Sequence, residues 1–143
     1  MSNTTKTTKP FYATWRDPIY CARIHWIVDD NLLRAVKTAR EKARVEVDAT
    51  KINENMAAVT FDRTSEGICI LMPHFDDLPD DVSNLAHELI HATNRILYDA
   101  GVRQKFGASA NPDDNENSLD DEAFAYLFGW ELSHAITAWR RKA

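Results

Sequence analysis

Residues 87–91 read His-Glu-Leu-Ile-His, and this pentapeptide constrains the chain more than any other feature. Its two imidazoles are four positions apart, and on an α-helix positions i and i+4 lie on one face, one turn apart. The surrounding residues predict that helix. Leu78-Pro-Asp-Asp81 is a start signal, Gly101 after Ala100 is a stop, and Val82, Leu85, Leu89, Ile90, Ile96 and Leu97 supply the apolar positions between them.

Both rings of such a helix can reach one metal ion, while Glu88 contacts a water on that ion rather than the ion itself. Zinc takes nitrogen ligands at about 2.0–2.1 Å and lowers the pKa of bound water to about 7. A neighbouring carboxylate can then accept the water's proton as it attacks a carbonyl and deliver it to the leaving amine. A catalytic zinc also needs a third protein ligand and one open position. The free candidates are His25, His74, His134 and the acidic residues near 120. The segment after His91, Ala-Thr-Asn-Arg-Ile-Leu-Tyr98, contains no third histidine of the extended H-E-x-x-H-x-x-G-x-x-H kind. A glutamate from the following helix is the other solution, and Glu122, 31 positions beyond His91, fits it best. Small Ala125 and Gly129 on the same helix permit close approach to the metal helix. Asp120 and Asp121 compete, and an acidic residue near a helix N-terminus also has a simple electrostatic role. Asp121 suits a cap, or an acceptor for a histidine N–H.

The rest of the chain predicts one domain. Residues 1–10 are Thr-rich and aperiodic, a flexible tail, and 11–143 form a single unit of ordinary globular composition, 44% hydrophobic and 27% charged. Residues 11–28 are aromatic and β-branched, compatible with a strand or a short helix. Asp29 or Asp30 caps an amphipathic helix from Asn31 to about Arg44. Met56–Phe61 and Gly67–Met72 flank a polar link and predict an antiparallel hairpin, with a weaker strand near Val45–Val47. After a loop from Gly101 to Asn117, a last helix runs from about Ser118 to Arg140.

His87-Glu-Leu-Ile-His-Ala92 followed by Asp121-Glu-Ala-Phe-Ala-Tyr-Leu127 resembles the zincin metallopeptidases, their gluzincin branch in particular. The similarity is to small bacterial and phage metallopeptidases and, more loosely, to the ImmA/IrrE type. It covers the stretch from Asp81 to Leu132. The resemblance implies an α+β fold: a minimal zincin-like domain with a small sheet and hairpin packed on the His-Glu-Leu-Ile-His helix and a C-terminal glutamate-bearing helix. It implies zinc-dependent peptide hydrolysis with His87, His91 and Glu122 as ligands and Glu88 as general base and acid. It implies a peptide or protein substrate bound extended along an edge strand, here Gly67–Met72. Tyr126 stands where the ImmA/IrrE type usually has Asn.

Peptide hydrolysis benefits from a donor to the developing oxyanion. Tyr126, one turn beyond Glu122, is the first candidate, with His74 and Tyr98 as alternatives. His25 and His134 read as structural or surface residues. The acidic stretch at 113–118 fails the EF-hand pattern, because Ser118 and Phe124 stand where Gly and Glu are required. A net charge of −5 argues against nucleic acid as the partner. The polar N-terminus lacks an apolar signal region, no run approaches a membrane span, and Cys21 and Cys69 read as buried thiols of a reducing compartment, so a cytoplasmic location is expected. Two rival readings keep other parts of the pattern: an inactive zinc-binding interaction module derived from a peptidase, and a metal-free helical interaction protein. Substrate identity and oligomeric state are open at this level.

Overall fold

The computed structural model describes residues 9–47, 52, 56–102 and 115–142, with the backbone alone described for 115–121. The expected tail therefore falls almost wholly outside the described residues. So do most of the 101–117 connection and the side chains of Asp120 and Asp121. The elements are β1 (Phe11–Arg16), β2 (Arg23–Val28), α1 (Leu32–Ala43), β3 (Val59–Thr60), β4 (Ile68–Met72), α2 (Pro79–Asp99) and α3 (Asn115–Arg141). The architecture is α+β, with the strands in one mixed sheet of order β1-β2-β4-β3.

The ambiguous segment 11–28 is an antiparallel strand pair, with Phe11 opposite Val28 and Arg16 opposite Arg23. The buried Asp17 carboxylate builds the turn between them by accepting the N–H groups of Ile19 at 3.0 Å and Ala22 at 2.8 Å. Cys21 is exposed with φ of +55°, a correction to its expected burial, because it occupies the left-handed corner of this surface turn. Cys69 lies buried in β4, and burial pushes its thiol up to about 12.

β2 and β4 run parallel, with Ile24 opposite Ile68 and Val28 opposite Met72. Parallel neighbours need a crossover, and α1 lies within it. Alternation then sends Ile24, Trp26, Val28, Ile68, Ile70 and Met72 to the α2/α3 side. Ile27, Cys69 and Leu71 face Ala35, Val36, Ala39 and Ala43 of α1. Covering on both faces explains why β4 is a continuous apolar run. Asn31, rather than Asp29 or Asp30, caps α1 by accepting the Arg34 N–H at 3.1 Å. Asp29 is instead held by the Arg34 guanidinium at 2.7 and 2.8 Å. Val45 and Val47 are buried but not in a strand, because Arg44 leaves the helix in a left-handed conformation and turns the chain.

The expected hairpin forms as β3 and β4, with its first strand shortened from Met56–Phe61 to Val59–Thr60, Val59 opposite Leu71 and Thr60 opposite Ile70. Gly67 has φ of +124°, and a Cβ there would lie 2.3 Å from the Arg23 carbonyl oxygen, so this turn requires glycine. The expectation that Gly67–Met72 forms the sheet edge is overturned. β4 is interior because β2 pairs with it from the other side, and β3 is the edge.

α2 begins with Pro79 in its first turn beside Asp80 and Asp81, which favour the positive end of the helix dipole. α3 begins at Asn115, three residues before the expected Ser118, and packs against α2 and β1. Leu127, Ala135 and Trp139 are its buried apolar contacts. Trp139 meets Phe11 and Phe75 edge-on at centroid distances of 5.0 and 4.8 Å. No helix among the described residues is long and apolar enough to cross a membrane.

Candidate metal centre and cleft

The faces of α2 divide the pentapeptide. Leu85, Glu88, Leu89, Ala92, Thr93, Ile96 and Leu97 form the buried face, whereas His87 and His91 point outward. One helical step of about 100° separates Glu88 from His87, which is enough to tuck the carboxyl group under the helix while both rings remain reachable. The two Nε2 atoms are 3.2 Å apart, and the rings are T-shaped with centroids at 4.8 Å. Two nitrogens bound to one tetrahedral zinc, each at 2.0–2.1 Å, stand about 3.3 Å apart, so this pair has the bite of a zinc site. Without an ion, the same spacing lets one imidazole N–H donate to the other.

Glu88 is 7% exposed. The Thr60 hydroxyl donates to its carboxylate oxygen Oε2 and also lies 3.2 Å from its main-chain carbonyl. The β3 register produces this contact. Val59 and Phe61 pack toward the α1 side, so Thr60 between them projects toward α2. A cavity of about 1100 Å³ opens beside this contact, between the outer edge of β3 and α2. Thr60, Phe61, Asp62, Glu88, His91, Arg95 and Tyr98 are among its walls. Arg63 and Arg95 share the Asp99 carboxylate at 3.0 and 3.3 Å and tie the hairpin to the far end of α2.

The remaining expected site residues are dispersed. Glu122 is exposed on α3. Among the described residues it does not join His87 and His91 in a group of donor atoms within 4.8 Å; the group of that kind is His74, Asp76 and Asp81. That second group holds itself together: His74 pairs with Asp76 at 2.8 Å, and Asp81 accepts the Asp76 N–H at 2.7 Å. Of the candidate oxyanion donors, Tyr98 (77% exposed) lines the cavity, Tyr126 (59% exposed) sits on α3, and His74 belongs to the Asp76 pair.

His25 is structural. Its Nε2–H donates to the Glu66 carbonyl at 2.7 Å, its Nδ1 accepts from the Tyr12 hydroxyl at 2.7 Å, and burial lowers its pKa, which favours the neutral ring. His134 is exposed and stacks on Trp130 at 3.8 Å. The stretch at 113–118 lies outside the residues whose side chains are described.

Thr60 is the site residue that sequence reasoning missed. It is 28 positions from Glu88, in a two-residue strand whose register carries no local signal. The chain matches no protein-family model, no curated protein and no solved structure.

Proposed function

We propose that the protein is a zinc-dependent peptidase acting in the cleft between β3 and α2. The observation that carries this reading is the His87–His91 pair at zinc bite distance, one helical step from a buried glutamate that opens onto a large cavity. His87 and His91 are two ligands by this reading, and Glu122 is the third. Ligation by Glu122 requires the first turns of α3 to approach α2. Bound zinc supplies Lewis acidity to the scissile carbonyl and acidifies the attacking water. Glu88 takes the proton of that water and returns it to the leaving amine, for which its burial on the cleft wall is suited. The outer edge of β3 offers main-chain groups to an extended peptide, the mode in which a substrate adds a strand to a sheet. Tyr98 takes precedence over Tyr126 and His74 as oxyanion donor, because it lines the cleft.

The test is protein purified without added metal. About one equivalent of zinc is expected by elemental analysis, lost in His91→Ala and weakened in Glu122→Gln. The zinc-loaded protein is expected to cleave unfolded casein. Full zinc occupancy with no cleavage would favour the interaction module, and absence of zinc would favour the metal-free reading.

A further inference from the structure

We propose that Thr60 is a positioning residue for Glu88, so that the sheet edge sets the aim of the general base. The inference rests on the peptidase reading and adds to it a residue outside the metal helix. A threonine hydroxyl has one proton and reaches two acceptors of the same residue: the Glu88 carboxylate oxygen Oε2 and, at 3.2 Å, the Glu88 main-chain carbonyl. Bridging side chain to main chain fixes the Glu88 rotamer. Holding Oε2 leaves Oε1 to face the reacting water, so one oxygen is the anchor and the other the base.

The supporting structure is specific. Thr60 faces α2 because it lies opposite Ile70, whose side chain belongs to the same core, while its neighbours Val59 and Phe61 pack on the α1 side. A slip of one residue in β3 would turn the hydroxyl to the wrong face. β3 is held by β4 on one side, and its other edge borders the cavity. The strand that frames the cleft therefore also holds the base. A base misplaced by about 1 Å can cost on the order of 100-fold in rate without loss of binding. The role should therefore appear in kcat and not in KM.

The experiment uses the full chain, zinc-loaded, with a quenched fluorescent peptide library as probe. Thr60→Val keeps the shape and removes the hydroxyl; it is expected to lower kcat by about 10- to 100-fold with KM within about twofold and zinc content unchanged. Thr60→Ser is expected to recover most of the lost turnover. In the metal-free protein, the Thr60 hydroxyl proton should be visible by NMR in slow exchange, with a cross-peak to the Glu88 side chain that vanishes in Glu88→Ala. Wild-type kcat in Thr60→Val overturns the inference and leaves the peptidase reading standing. So does a Thr60→Ser variant as slow as Thr60→Val, which would indicate a packing role. Absence of the cross-peak overturns the contact itself, even if Thr60→Val fails to fold. A wild-type protein that binds zinc and cleaves nothing overturns the peptidase reading and the positioning role with it.

Discussion

Glu88 and Glu131 are both buried glutamates on long helices covering one face of the sheet, yet their surroundings give them opposite prospects. Glu88 meets a hydroxyl on one side and an open cleft on the other. Glu131 is fully buried, with one oxygen accepting the Trp15 indole N–H and the other, Oε1, without a hydrogen-bond partner among the described residues. Burial pushes its carboxyl up to about 7, against a downward pull from the Trp15 bond and a further upward push from Asp17. A carboxyl sealed from solvent in this way keeps its proton up to about pH 7 and does not line the cavity. A carboxyl at the rim of a cleft has both a support and a target. Burial alone does not single out a candidate acid or base; what separates Glu88 from Glu131 is that Glu88 also lines a cavity.

The contrast breaks most visibly in turnover. Glu88→Gln is expected to reduce peptide cleavage by about 10²- to 10⁴-fold while zinc content is retained. Glu131→Gln should stay within about twofold of wild type in the same assay. Equal losses would mean that the two carboxyls serve one site.

The second expected effect is on stability against pH. A carboxyl raised from 4.5 to about 7 in the folded state binds more protons folded than unfolded between those values. Its favourable contribution is complete below about 4.5 and declines as pH rises toward 7, by on the order of 3 kcal/mol in all. Urea unfolding of wild type should show this decline, and Glu131→Gln, which cannot ionise, should lack it. The decline persisting in Glu131→Gln would assign it to another group.

Trp15→Phe removes the one hydrogen-bond donor that the Glu131 carboxyl has among the described residues. It should cost about 1.5–3 kcal/mol at pH 8, where the carboxyl is charged, and less at pH 5. A cost independent of pH would mean that packing, not the hydrogen bond, is what Trp15 contributes. The smallest effect belongs to the opposite face of the sheet: Asn31→Ala deletes the α1 cap, costing about 1 kcal/mol with turnover unchanged.

Local patterns made much of this molecule legible. The 3.6-residue spacing of Leu85, Leu89, Ala92 and Ile96 specifies α2 and its buried face, and the pentapeptide puts two imidazoles one turn apart on any such helix. The apolar runs around the 62–66 link specify a hairpin, which β3 and β4 form. What failed was non-local. The unbroken apolar run Ile68–Met72 signals a strand buried on both faces but does not say that β2 pairs along its other side, and that pairing moved the sheet edge, and with it the cleft wall, from β4 to β3. Cys21 and Cys69 both have apolar neighbours in the chain, and only the turn after β1 exposes the first.

The sequence by itself determined that His87 and His91 converge and that Glu88 leaves the helix on an adjacent face, because helix geometry is periodic and needs no partner. Tertiary structure alone decided that Thr60 meets Glu88 and that Trp15 meets Glu131, 116 positions away. Contacts of that separation depend on strand order and register. These are fixed by the collective burial of two sheet faces, not by any residue's neighbours in the chain.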